Sequence, residues 1–125
     1  MIRSVTLDTG ALVAIERRKQ RGLQLLELAR QRLVLLAVPI PVVAEWWRGR
    51  TDVRERILDA VNVEHLSLAV AKAAGEAQAA LPRATPVDAI VMAFAASRGD
   101  AVFTSDTGDL MRLQAHFPSV RVLSI

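Results

Sequence analysis

Short apolar runs alternate along the chain with longer segments of helical periodicity. The short runs predict five strands, at residues 2–7, 33–37, 62–66, 101–104 and 121–123. The second run is continuously apolar up to Pro39 and Pro41, which are expected to end it, and such a run is typical of a strand buried on both faces. Alternating strands and helices indicate βαβ units and therefore an α/β fold with a mostly parallel sheet.

The longer segments predict seven helices, at residues 11–18, 23–30, 42–48, 53–60, 68–81, 86–97 and 109–115. Thr85 and Pro86 form a strong helix start, because they supply a capping hydroxyl and a proline at the first helical position. Gly99 is placed to end the same helix. This helix is apolar almost all round, so we expect it to be central and buried.

The composition fits one globular domain over residues 1–125, with 52% hydrophobic and 23% charged residues. Such a composition excludes a disordered chain. The absence of cysteine excludes disulfide scaffolds, thiolate zinc sites and cysteine nucleophiles. No secretory signal pattern is present, and no apolar run approaches the ~18–20 residues of a membrane helix. We therefore expect a cytoplasmic protein that does not associate with a membrane.

Basic charge is concentrated in the first half of the chain. The whole chain carries +3, whereas residues 1–56 hold eleven Lys or Arg and six Asp or Glu. The basic residues form two bunches, at residues 17–21 and 48–56, and nearly all of them are arginine. Arginine suits phosphate recognition, which favours a polyanionic partner. The solvated faces of helices would explain bunches of this size equally well.

Acidic residues occur where predicted strands end or helices begin. Asp8 follows the first strand, Asp106 follows the fourth, Glu45 lies on the short helix after the second, and Asp88 lies in the first turn of the buried helix. Ligands of open parallel sheets bind outside the carboxyl ends of the strands, so these acids are expected to meet at one edge. Oxygen ligands without Cys or His favour Mg²⁺ or Mn²⁺, ions that can activate water and hold a phosphoryl group.

Each acid also has a purely structural interpretation. Asp8 can cap the helix that follows it, and Asp88 can complete a variant capping box with Thr85. The others fit the ordinary chemistry of helices, namely a favourable interaction with the helix dipole for Asp106 and Asp109 and a surface pair with Arg48 for Glu45.

Four ordered segments carry a resemblance to a known family. They are Leu7-Asp8-Thr9-Gly10-Ala11-Leu12, Val42-Val43-Ala44-Glu45-Trp46-Trp47-Arg48-Gly49, Val87-Asp88-Ala89-Ile90-Val91 and Phe103-Thr104-Ser105-Asp106. In order and spacing, the chain resembles PIN-domain ribonucleases over essentially its whole length, and most closely the VapC toxins of bacterial and archaeal toxin–antitoxin pairs. The ordered set is more specific than any single segment.

The resemblance implies a PIN-like α/β/α sandwich around a central, mostly parallel five-stranded sheet. It implies an endoribonuclease dependent on Mg²⁺ or Mn²⁺ that hydrolyses RNA phosphodiester bonds and leaves a 5′-phosphate and a 3′-hydroxyl. It further implies a homodimer and a cognate VapB-like antitoxin whose tail occupies the groove of the active site. The protein would be the toxin of that pair.

The resemblance also assigns roles to individual residues. The catalytic and metal-binding acids would be Asp8, Glu45, Asp88 and Asp106. Thr104 would be a supporting hydroxyl, and Asp109 fits an accessory acid whose place varies among members. Trp46 and Trp47 stand where many members have an aliphatic pair. For them we expect one ring in the core and one at an interface, with base stacking as the alternative.

Two other phosphate-handling classes are excluded by the sequence. A receiver domain needs a lysine near the last strand, but the only lysines are Lys19 and Lys72. A haloacid-dehalogenase phosphatase needs an aspartate two residues after Asp8, where Gly10 stands. The remaining alternative is a catalytically inactive PIN-like binding or scaffold module. The presence of all four main acids favours the enzyme over this module.

Overall fold

A computed structural model describes residues 3–125 and contains, in that range, five strands and seven helices. In chain order they are β1 (Arg3–Leu7), α1 (Thr9–Glu16), α2 (Gln20–Arg30), β2 (Val34–Pro39), α3 (Ile40–Trp46), α4 (Asp52–Ala60), β3 (Asn62–Glu64), α5 (Leu68–Ala80), α6 (Pro86–Arg98), β4 (Ala101–Thr104), α7 (Thr107–Gln114) and β5 (Val122–Ser124). The predicted order and type of the elements are confirmed. The first residue of the strand predicted at 2–7 lies outside the described residues.

The strands form one sheet in the order β3-β2-β1-β4-β5, and all four pairings are parallel. Val5 lies opposite Leu36 of β2 and Ala101 of β4, so β1 is central and has both edges paired. Its side chains Thr6 and Leu7 are fully buried. Strands β2 and β3 lie on one side of β1, and strands β4 and β5 lie on the other. The strand order therefore reverses at β1, and ligands of such sheets bind in the crevice at this topological switch point.

The helices form two groups that cover the sheet. Helices α1, α2 and α4 contact one another, whereas α6 contacts α5 and α7. Right-handed crossovers place connections that run in opposite directions along a sheet on opposite faces. The result is the expected α/β/α arrangement. Among the helices of residues 3–125, none has the length and apolar character needed to cross a membrane.

Helix α6 is the central buried helix that its sequence predicts. Val91 and Met92 are fully buried, and the helix packs against β1, β2 and β4. At its start, the Thr85 hydroxyl accepts a hydrogen bond of 3.1 Å from the backbone N–H of Asp88. At its end, Gly99 adopts a left-handed conformation (φ +73°), which glycine tolerates best.

Several boundaries differ from the predictions for local reasons. Strand β2 extends through Pro39, because there the strand pairs only with Glu64 of β3 and no β1 residue lies opposite. Helix α3 therefore begins at Ile40, with Pro41 in the first turn, where its missing N–H costs nothing. Helices α1, α2 and α7 begin two or three residues earlier than predicted, strand β3 ends two residues earlier, and strand β5 lies one residue later.

Trp46 of α3 takes part in a hydrogen-bonded contact that links α3 with α1 and α4. Its ring is 3% exposed, and its Nε1–H donates to Oε1 of Glu16 at 2.9 Å. Arg54 of α4 pairs with the other oxygen of the same carboxylate at 3.1 Å. The half-buried Trp47 ring lies edge-on to Trp46 with centroids 6.0 Å apart. One tryptophan therefore packs in the core as expected, and an interface role for Trp47 stays a prediction.

Replacement of Trp46 by Phe is expected to lower the free energy of unfolding by about 2 kcal/mol, because it removes a hydrogen bond to a charged group and keeps an aromatic ring. Urea unfolding followed by circular dichroism measures the change. The matched control is Trp47→Phe, which removes a half-buried indole and is expected to shift the unfolding midpoint less. Equal midpoints for the two variants would contradict the assigned role of the Trp46–Glu16 bond.

Candidate active site

Asp8 stands directly after the central strand and caps the helix that follows. Its Oδ1 accepts a hydrogen bond of 2.8 Å from the backbone N–H of Ala11, and the residue is 7% exposed. The pKa of Asp8 is raised to about 6, mainly by burial and also by the charges of Asp88 and Glu45, although hydrogen bonds from the Thr104 hydroxyl and the Ala11 amide act in the opposite direction. The capping interpretation is therefore confirmed, but it does not account for a buried carboxyl beside two other acids.

Asp88 lies in the first turn of α6 and is half-buried. Burial is the main cause that raises its pKa, and the Thr85 hydroxyl lowers it. The negative charges of Asp109, Glu45 and Asp106 raise the pKa of Asp88 as well. Asp88 is thus the residue on which the charges of three other acids act.

The segment after β4 positions Asp106 through Thr104. The fully buried Thr104 hydroxyl accepts from the Asp106 N–H at 3.0 Å and donates to the Asp106 carbonyl oxygen at 3.1 Å. Asp106 then caps α7, since its Oδ1 accepts from the Gly108 N–H at 3.2 Å. One turn later, the exposed Asp109 pairs with Arg112 at 3.3 Å. Thr104 therefore shapes the loop that carries the acid.

Glu45 contacts the start of α1 rather than a neighbour on its own helix. Its Oε1 accepts a hydrogen bond of 2.5 Å from the Thr9 hydroxyl. The purely structural alternative, a surface pair with Arg48, is not formed, because the Arg48 guanidinium instead donates to the backbone carbonyl of Trp47 at 3.1 Å. Sequence reasoning gave Thr9 no role, although its place beside Asp8 was a usable signal.

Gly10 allows the first turn of α1 to approach the loop after β4 closely. A Cβ at this position would lie 2.4 Å from Oγ of Ser105 and 3.4 Å from its backbone nitrogen. Glycine avoids this crowding. The segments that carry Asp8 and Asp106 therefore pack directly against each other.

The five acids lie around the carboxyl edge of β1 and its two neighbours. Asp8, Glu45 and Asp106 follow β1, β2 and β4, which are adjacent in the sheet, and Asp88 acts electrostatically on Asp8. Within residues 3–125, no three acidic or histidine side chains lie close enough to bind one ion together. The acids interact through charge, and a cation would relieve their mutual repulsion. Their oxygen atoms are the donor type that Mg²⁺ and Mn²⁺ prefer.

The fold and the site together place this chain among the parallel α/β proteins that carry an acidic site at the carboxyl ends of their central strands. Residues 5–114 match the PIN domain family. The chain therefore belongs to the PIN domain family, whose members are nucleases.

Solved structures share this fold over nearly the whole chain. VapBC2 from Rickettsia felis, bound to a DNA fragment from its promoter, has a TM-score of 0.74 and 17% identity and covers 98% of each chain. DNA-bound VapBC from Salmonella typhimurium has a TM-score of 0.72 and 20% identity over 99% of this chain and 98% of that one. VapBC-5 from Mycobacterium tuberculosis has a TM-score of 0.63 and 20% identity over 98% of both. No curated protein matches the chain.

Proposed function

We propose that residues 1–125 form a single PIN domain that acts as an endoribonuclease dependent on Mg²⁺ or Mn²⁺ and hydrolyses RNA phosphodiester bonds. The observation that carries this proposal is the pair Asp8 and Asp88. Both carboxyls are withdrawn from solvent, and the charges of neighbouring acids raise the pKa of each. In a PIN domain, buried or half-buried carboxyls that lie within the electrostatic reach of other acids are best explained by a site for cations.

Asp8, Glu45, Asp88 and Asp106 would bind the metal, and to share one ion they would have to approach one another more closely than they do in this structure. When bound, a divalent ion supplies a Lewis acid that activates water and neutralises charge on a phosphoryl group. Asp8 directly follows the central strand and is held by its bond to Ala11, which fixes one oxygen at the sheet edge. Thr104 supports Asp106 through the hydrogen bonds of its hydroxyl, and Asp109 adds a negative charge near Asp88.

We further propose that the protein is the toxin of a toxin–antitoxin pair, with a cognate VapB-like antitoxin, and that it forms a homodimer. The support for the antitoxin is that three solved structures with the same fold are VapBC structures. A toxin that cleaves cellular RNA acts in the cytoplasm, which is the location we propose.

The test is cleavage of total RNA by the purified, antitoxin-free protein in Mg²⁺, in Mn²⁺ and in EDTA. Discrete products are expected with either metal and none with EDTA, and addition of the cognate antitoxin is expected to suppress cleavage. A folded protein that cleaves no RNA and binds neither metal would overturn the proposal. The inactive binding module would then be the better interpretation.

A further inference from the structure

A groove with a volume of about 510 Å³ opens beside the acids, between the α5–α6 connection and α7. Its lining combines apolar residues of the α5–α6 connection with two arginines, Arg83 and Arg112, and two acids, Asp88 and Asp109. Asp88 and Asp109 belong to the acidic site described above, so the groove is continuous with that site. A polymer cleaved at the acids must extend along the protein on at least one side of the cleaved bond.

Two arginines stand on the walls of this groove. Arg112 is exposed and pairs with Asp109 at the end nearer the acids. Arg83 is also exposed. The ion pairs within residues 3–125 use only Arg50, Arg54, Arg98 and Arg112 as their cations, so Arg83 is available to a ligand. Guanidinium groups match the geometry of phosphate oxygens.

The wall that carries Arg83 is otherwise apolar. Leu81, Pro82 and Ala84 line it, and all three are at least partly exposed to solvent. Positively charged grooves bind the backbone of single-stranded nucleic acids, and apolar side chains can pack against a base. An acidic peptide would also meet the arginines, but the proposed nuclease requires an RNA strand to continue beyond the acids, and this groove opens beside them.

We propose that this groove holds the RNA strand next to the cleaved phosphodiester, with Arg83 and Arg112 binding backbone phosphates and the residues 81–84 contacting a ribose or base. This inference rests on the proposed function and adds to it the path of the substrate. Replacement of Arg112 would also leave the charge of Asp109 without its ion-pair partner. The test therefore uses variants of Arg83.

The experiment measures binding of fluorescent single-stranded RNAs of randomised sequence by anisotropy across a salt series, in an Asp8→Asn background that does not consume the probe. Arg83→Ala is expected to weaken binding roughly threefold to tenfold, the effect of one hydrogen bond. The slope of log K against log salt is expected to fall by about 0.7, the value for one lost phosphate contact on a single strand. Arg83→Lys is expected to restore most of the slope.

The matched control is Arg121→Ala, which removes an exposed arginine beside Gly99 and Ala101, at the amino ends of the strands and away from the acids. It is expected to leave RNA binding unchanged. In the protein with Asp8 intact, Arg83→Ala is expected to raise the KM for RNA cleavage and to leave kcat unchanged, because it removes a binding interaction that the ground state and the transition state share.

Unchanged affinity and salt slope in Arg83→Ala would overturn the inference while leaving the proposed nuclease intact. Weaker binding of a polyglutamate peptide with unchanged RNA binding would assign the groove to an acidic protein segment and would also overturn it. Failure of the proposed function has a different signature, because the protein with Asp8 intact would then cleave no RNA in either metal.

Discussion

Asp8→Asn is expected to lower RNA cleavage by more than about 100-fold, since even residues that only support a metal ligand typically cost 10–100-fold in activity. The substitution removes the negative charge of the most buried acid in the site, directly after the central strand. It retains the cap of α1, because Asn and Asp are equally good at the N-cap. Initial rates on total RNA in Mn²⁺, with circular dichroism of the same samples, measure the effect.

Asp59→Asn is the matched control, because Asp59 is an exposed acid on α4 and does not line the groove beside Asp88. It is expected to cleave RNA at the rate of the unaltered protein. An Asp8→Asn protein that is folded and cleaves at that same rate would show that Asp8 is only a helix cap. The inactive module would be supported if neither the variant nor the unaltered protein cleaved RNA.

The free energy of unfolding, measured in EDTA, is expected to fall as pH rises from about 4 to 7, and Asp8 is expected to account for about 3 kcal/mol of this fall. The reason is that burial raises the pKa of Asp8 from 3.8 to about 6. Between these values the unfolded chain has already lost the proton that the folded protein keeps. The folded state is therefore favoured at low pH and loses this advantage as pH rises through 6.

Denaturant unfolding at a series of pH values tests this dependence through the difference between the unaltered protein and Asp8→Asn, because other groups titrate in both. The difference in unfolding free energy between the two proteins is expected to change across pH 4–7 and to be constant above pH 7. Asp88 is expected to act in the same direction, since burial and neighbouring acids raise its pKa too. Parallel stability curves for the two proteins would mean that Asp8 ionises in the folded state as freely as in the unfolded chain.

Much of the fold could be predicted from the sequence because its elements have strong local signals. The apolar run of β2 and the all-round apolar α6 are recognisable without any neighbour, and Thr85, Pro86 and Gly99 mark the ends of α6 by their own backbone chemistry. Element ends were less predictable. Pro39 continues β2 because only β3 lies opposite it, and this is a property of the sheet register.

The candidate acids could be predicted for the same reason, since each stands beside an element end that the sequence shows. The hydrogen-bond partners of these acids could not be predicted from the sequence. Glu45 accepts a hydrogen bond from Thr9 across 36 positions of sequence, whereas Arg48, its partner in the purely structural interpretation, donates to a backbone carbonyl. Local spacing favours contacts within one helix, whereas packing of α3 against α1 decided this one.

The elements, their order, the parallel sheet and the positions of Asp8, Glu45, Asp88 and Asp106 follow from the sequence alone, because hydrophobic periodicity and capping chemistry act over a few residues. Three features emerge only in the folded protein: β1 lies between β2 and β4, the charges of three other acids act on Asp8 and Asp88, and Arg83 and Arg112 line one groove with Asp88 and Asp109. These features depend on contacts between segments distant in sequence. Such contacts are set by strand pairing and by the handedness of the crossovers, which no local pattern records.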